Sequence, residues 1–200
     1  EDVNGAIWEW PVPFGVGTGQ LNPFISCQSN GVEECFNSLV KSLDAKRYTN
    51  YTHDISLNNI PQVEESSVWY RELILDANEA NSGESALFAI QIFDLWMCTD
   101  AGAPNYDALS DFQSNGDCTL VYGLGGKTAY ATDEVTSGSG LDLDYRILIP
   151  ESDFSDAAGT LGATTVYNTC YYQGADAASC GIYLVLHVKM GGESRWETGS

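Results

Sequence analysis

The chain has 200 residues, enough for one large β-sandwich or two small domains, and no low-complexity linker divides it, which favours one domain. Acidic residues outnumber basic ones 28 to 8, for a formal net charge of −20; that field repels phosphate backbones and anionic lipid, which argues against nucleic acid or a membrane surface as a partner, while it attracts divalent cations and basic surfaces. Hydrophobic residues make up 44% of the chain, too many for disorder, yet no apolar stretch approaches the roughly 18 residues that span a bilayer.

Residues 1–16 read as an extended N-terminal arm and residues 17–200 as a single sandwich domain. In the arm, Trp8, Trp10, Val12 and Phe14 fall on one side of an extended chain, with Pro11 and Pro13 on the other. Proline cannot donate to a ladder, so the segment belongs at a sheet edge or outside the sheet. Either it packs on its own domain as an edge strand, or it is a donor strand, with Ile7, Trp8, Trp10, Val12 and Phe14 docking on a neighbouring copy by strand addition. Residues 21–43 hold a short strand, a loop closed by Cys27 and Cys35, and a segment that is either helix or strand. Tyr48 to Leu57 alternates as a strand in which His53 is an ordinary member. Asn50-Tyr51-Thr52 is a glycosylation sequon, effective at Asn50 in a source that glycosylates such sites.

From Val68 to Trp96, two apolar and aromatic runs flank a polar insert, Asp76 to Ser85, carrying the turn formers Asn78, Asn81 and Gly83. The pattern predicts a β-hairpin or two neighbouring strands at the centre of the sheet. A long loop follows between Cys98 and Cys118, then strands near Leu120 and Tyr130 around a glycine turn that lacks phosphate-loop spacing. A Gly/Ser loop feeds a strand ending at Pro150. Residues 164–172 and 180–190 read as a second hairpin, bridged near its turn by Cys170 and Cys180. About ten strands with hardly any helix predict an all-β, antiparallel β-sandwich, jelly-roll-like, with disulfide-braced loops.

The six cysteines contain no Cys-x-x-Cys pair and only two histidines accompany them, poor material for zinc. Disulfides are the better reading, and they point to an extracellular protein that has shed any signal peptide. Fifteen connectivities are open. Because each consecutive pair brackets a polar, turn-rich segment, the expectation is Cys27–Cys35, Cys98–Cys118 and Cys170–Cys180, each contributing about 2–4 kcal/mol.

Candidate chemistry is sparse. Glu72 and Asp94, on the central strands, are the one carboxylate pair to test for glycoside hydrolysis, which needs the groups about 5–10 Å apart; the competing reading is two solvated outward side chains. A structural Ca²⁺ would find oxygen ligands at Asp76, Asn78 and Glu84, or at Asp142 and Asp144, although neither set matches an EF-hand loop. Five Trp and eleven Tyr also permit a polysaccharide-binding face, against the simpler reading that they are strand core.

Tyr70-Arg71-Glu72-Leu73, Leu75-Asp76, Asn78 and Gln91-Ile92-Phe93 carry a resemblance to a family of secreted bacterial proteins, many of which bear a PEP-CTERM sorting signal. It continues upstream through Gly17-Thr18-Gly19, Asn22-Pro23-Phe24, Asn30-Gly31, Tyr51-Thr52-His53-Asp54 and Ile60-Pro61. Downstream it takes in Val121-Tyr122, Ser137-Gly138-Ser139-Gly140 and Ile149-Pro150. This chain has Leu87-Phe88-Ala89 where the family commonly has Leu-Asp-Glu, and it lacks the sorting tail. The resemblance implies a surface or matrix protein and brings no catalytic residues. The resulting expectation is a non-enzymatic, extracellular structural subunit that assembles with copies of itself into a filament or matrix, the alternative being a glycan-binding module.

Overall fold

The computed structural model describes residues 2–9, 33–36, 55–75, 87–99, 116–132, 145–173 and 180–190. Among them, strand is the predominant structure and helix a minority. The strands are β1 (Asp2–Val3), β2 (Ala6–Glu9), β3 (Glu33–Phe36), β4 (Ile55–Ser56), β5 (Gln62–Glu65), β6 (Val68–Leu75), β7 (Leu87–Cys98), β8 (Cys118–Gly123), β9 (Ala129–Thr132), β10 (Tyr145–Pro150) and β11 (Tyr183–Met190). A 3₁₀ turn covers Leu57–Asn59, and two helices, α1 (Glu151–Thr160) and α2 (Thr164–Gln173), sit between β10 and β11.

The strands form two antiparallel sheets. The first has the order β1-β2-β10-β6-β5; the second runs β3-β11-β7-β8, with β4 also on β11 and β9 also on β7. Alternation explains how they face each other. In β6, Leu73 points inward while Glu72 points out; in β7, Phe93, Leu95 and Met97 point inward while Asp94 points out. Trp8, Leu73, Ile147 and Ile149 of the first sheet share one core with Phe93, Leu95, Met97, Tyr122, Leu184, Leu186 and Val188 of the second. That is the sandwich core the alternation predicts.

The N-terminal segment folds back on itself. Asn4 and Gly5, at φ of 59° and 92°, make the two-residue turn that pairs Asp2 with Ile7 and Val3 with Ala6. Its second strand then pairs with β10 of the same chain, Trp8 opposite Ile147.

The helices depart from the sequence expectation. Residues 164–173 are helical where their β-branched and aromatic composition predicts a strand, so Cys170–Cys180 joins a helix to the start of β11 instead of bridging a hairpin. Tertiary contacts override propensity here. Ala163, Tyr167 and Cys170 are buried at helical spacing, and the buried residues of α1, Glu151, Phe154, Ala157 and Ala158, keep the same period. Between the helices, the Ala163 N–H donates to the Ala158 carbonyl at 2.8 Å and the Gly162 N–H to that of Gly159 at 3.1 Å, a Schellman closure with Gly162 left-handed at φ 66°.

Two expected disulfides are present, Cys98–Cys118 and Cys170–Cys180. Cys35 lies in β3, but Cys27 is outside the described residues, and with it the Cys27–Cys35 pairing.

Candidate functional site

Three polar constellations organise the sandwich. The first is centred on Arg71, which points inward from β6 and is 2% exposed. A guanidinium there requires a partner, because an uncompensated buried charge is far more costly than a paired one. The partner is Glu151, the first residue of α1: Arg71 Nε donates to Oε2 at 2.7 Å and Nη2 to Oε1 at 3.1 Å. Arg71 Nη1 donates to the carbonyls of Leu57 and Ile60 at 3.0 and 2.9 Å, which secures the 3₁₀ turn. The Tyr167 hydroxyl of α2 donates to Glu151 Oε1, and burial, reinforced by that bond, holds the phenol well above its ordinary pKa. The guanidinium also lies 6.0 Å from the centre of the Phe154 ring. One buried arginine thus ties β6, the 3₁₀ turn and both helices together.

The second constellation is on the outer face of the same sheet. Arg146, one position out of phase with the inward residues of β10, donates to Glu72 at 2.5 Å and to Glu9 and Glu65 at 2.9 Å each. Three strands, β2, β5 and β6, are cross-linked through it. Burial works against the charge on Arg146, but the hydrogen bonds to Glu72, Glu9 and Glu65 outweigh it and leave the pKa above the ordinary arginine value.

The third is the seat of the N-terminal hairpin. The Trp8 indole is 5% exposed, meets Phe93 and Tyr145 edge-on with ring centres 5.5 and 6.2 Å away, and donates from Nε1 to the Tyr122 hydroxyl at 3.0 Å. Tyr122 in turn donates to the Val3 carbonyl at 2.8 Å, and Asn4 Nδ2 to the Gly123 carbonyl at 2.6 Å. Burial, partly offset by the bond from Trp8 and supported by the Asp2 charge, pushes the Tyr122 phenol up to about 12. The hairpin therefore joins the first sheet by its backbone and the second by its side chains.

Glu72 and Asp94, the carboxylate pair proposed from the sequence, project from the outer faces of opposite sheets, with the core between them. Glu72 is bound to Arg146. Asp94 lies in register with His187 on one side and Gly123 on the other; a Cβ at Gly123 would stand 2.6 Å from an Asp94 carboxylate oxygen, so a larger residue there requires the Asp94 side chain to move. Burial raises the Asp94 pKa and the nearby His187 partly opposes it. Of the proposed assembly residues, Ile7 and Trp8 are in β2, whereas Trp10, Val12 and Phe14 fall outside the described residues. So do the proposed cation ligands Asp76, Asn78, Glu84, Asp142 and Asp144, the sequon residue Asn50, and His53. Among the described residues no cluster of three or more His, Cys, Asp or Glu is arranged to hold a metal, and no helix is long and apolar enough to cross a membrane.

Arg71, Arg146, Glu151 and Tyr167 were not legible as a unit. A signal existed: in a chain with only 8 basic residues, two arginines each follow a tyrosine inside an apolar strand run, Tyr70-Arg71 and Tyr145-Arg146. An arginine in that setting has to be paired.

The β5–β6 turn carries local strain. Ser66 and Ser67 adopt φ of 51° and 66°, the left-handed region that Asn-Gly occupies readily and serine does not. Exchanging Ser66-Ser67 for Asn-Gly should stabilise the protein by about 1–2 kcal/mol, read as a higher urea midpoint with an unchanged slope.

Geometry and covalent bracing together define the class: a two-sheet antiparallel β-protein held by disulfides and by two arginines paired with buried or half-buried carboxylates. No protein-family model, curated protein or solved structure matches the chain.

Proposed function

We propose that this protein is a non-enzymatic, extracellular structural subunit of a self-assembling filament or matrix, joined to its neighbour by exchange of the N-terminal hairpin. The observation that supports this reading is the seat of residues 2–9. They contribute a buried indole and the Glu9 carboxylate to a core built by the remainder of the chain. The 23 residues 10–32 separate that hairpin from β3, a contour length of about 80 Å when extended. A connection of 23 residues is long enough by chain length for the same contacts to form within one copy or between two, so exchange changes the connectivity and keeps the interface. Disulfides fit an oxidising exterior. The resemblance to secreted bacterial surface proteins points the same way.

The test is to compare the full chain with a variant lacking residues 1–14 after slow refolding at high concentration, by electron microscopy and size-exclusion. The full chain should form fibres. The truncated variant, refolded together with a peptide of residues 1–14 that supplies the missing hairpin, should bind the peptide and remain monomeric. Polymerisation of the truncated variant, or a full chain that stays monomeric, would sink the proposal.

A further inference from the structure

Of the tryptophans in the described residues, Trp8 and Trp96 are buried, while Trp69 is 44% exposed beside an equally open Val68 at 45%. Trp69 is at the end of the β5–β6 hairpin, next to the Ser66-Ser67 turn. Strain of this kind persists where the surrounding structure enforces it, and it concentrates at binding sites.

Cross-strand register places Glu64 directly opposite Trp69, and Gln62 opposite Arg71. Opposed residues share a face of the sheet, so the indole, the Glu64 carboxylate and the Gln62 amide lie on one side of the hairpin. Directly opposed Cβ atoms are about 5 Å apart and the next pair along about 7 Å, roughly the span of one hexose ring. Glu64 is exposed. Gln62 Nε2 is buried and has no hydrogen-bond partner among the described residues. Gln62 lies beside the inward-pointing Arg71 and its amide nitrogen is closed to solvent, so the open part of this face is the Trp69 indole with the Glu64 carboxylate.

We propose that this end of the hairpin binds a neutral oligosaccharide. A pyranose offers an apolar C–H face to stack on Trp69, and hydroxyls that donate to the Glu64 carboxylate. The net charge of −20 selects against uronates, sulfated sugars and phosphates, which leaves uncharged hexose polymers as the fitting class. Strand exchange is not required, because a chain that never polymerises would present the same face.

The experiment titrates the full chain with cellohexaose and with mannohexaose, using an alginate oligomer as the anionic comparison. Isothermal titration and amide–indole NMR shifts are the readouts. The expected result is binding of a neutral hexasaccharide, not alginate, with the largest shift at the Trp69 indole N–H. Trp69→Ala should weaken it by about tenfold or more. Trp69→Phe should retain part of the affinity, and Glu64→Gln should weaken binding with the fold unchanged by near-ultraviolet circular dichroism. Three results overturn the proposal: no neutral hexasaccharide binding at about 10 mM, shifts centred elsewhere in the unmodified chain, or unaltered affinity in a folded Trp69→Ala. A Trp69→Ala that changes self-association and leaves sugar binding intact overturns it too, and reassigns the face to contacts between copies.

Discussion

Glu151→Gln is expected to destabilise the protein by about 3–5 kcal/mol, enough to unfold an ordinary domain of marginal stability. The substitution preserves shape and removes a charge. Arg71 would remain 2% exposed with its cation uncompensated, and neither the Leu57 and Ile60 carbonyls nor the Phe154 ring carries a full negative charge to replace the carboxylate. The loss would spread beyond one pair, because Glu151 also accepts from Tyr167 and so holds α2 against α1. Urea unfolding measures it directly. Replacing the whole unit, Arg71→Met with Glu151→Leu and Tyr167→Phe, should recover most of the deficit, since a buried ion pair is often no more stabilising than an apolar group of similar volume. A Glu151→Gln midpoint equal to that of the unmodified protein would show that water reaches Arg71.

Trp8→Ala should cost about 3–5 kcal/mol, the range for emptying a buried indole site. The indole supports two sheets at once: it packs edge-on against Phe93 of β7 and Tyr145 of β10, and it bonds the Tyr122 hydroxyl of β8. Without it, the hairpin keeps its ladder to β10 and the Glu9–Arg146 ion pair, but Tyr122 and Phe93 border a cavity. Amide exchange distinguishes a local from a global effect. The Arg146 to Leu148 amides on β10 should lose protection together with residues 2–9, while β7 and β11 stay protected, if the hairpin detaches as a unit. Uniform loss across both sheets would mean that the hairpin is inseparable from the core, and would weaken the case for exchange between copies.

The inward and outward faces of the strands were readable because alternation is a local property; strand pairing was not, since β6 and β7, expected as one hairpin or as neighbours, lie in different sheets. Leu73 beside Glu72, and Phe93, Leu95 and Met97 around Asp94, disclose one inward face per strand without reference to any neighbour. The Asn4-Gly5 pair encodes its turn in two residues as well, yet residues 1–16 read as one extended arm and the turn was missed. The disulfides were readable for a related reason: Cys98 and Cys118, 20 residues apart, and Cys170 and Cys180, 10 apart, are consecutive cysteines that each bracket a polar, turn-rich segment, and pairing neighbours costs less loop entropy than pairing distant cysteines. The helices were not. Thr164, Thr165, Val166, Tyr167 and Tyr171 have the intrinsic preference of a strand, and what makes them helical lies elsewhere in the chain: the Glu151 carboxylate, the Gly162 closure and the bond to Cys180.

The candidate sites divide along the same line. Sequence identified Trp8 as an aromatic that must be buried and Glu72 and Asp94 as carboxylates on central strands. It did not reveal that Glu72 and Asp94 occupy the outer faces of different sheets, because the relation between sheets is not encoded in either strand's pattern. Composition, alternation and cysteine spacing by themselves determined that this is a disulfide-braced antiparallel β-protein with inward aromatic and aliphatic faces. Only the tertiary structure decided which charges meet. Arg71 with Glu151 is separated by 80 residues and Arg146 with Glu9 by 137, and pairing at such distances follows from how the sheets and helices pack, not from any local preference of the chain.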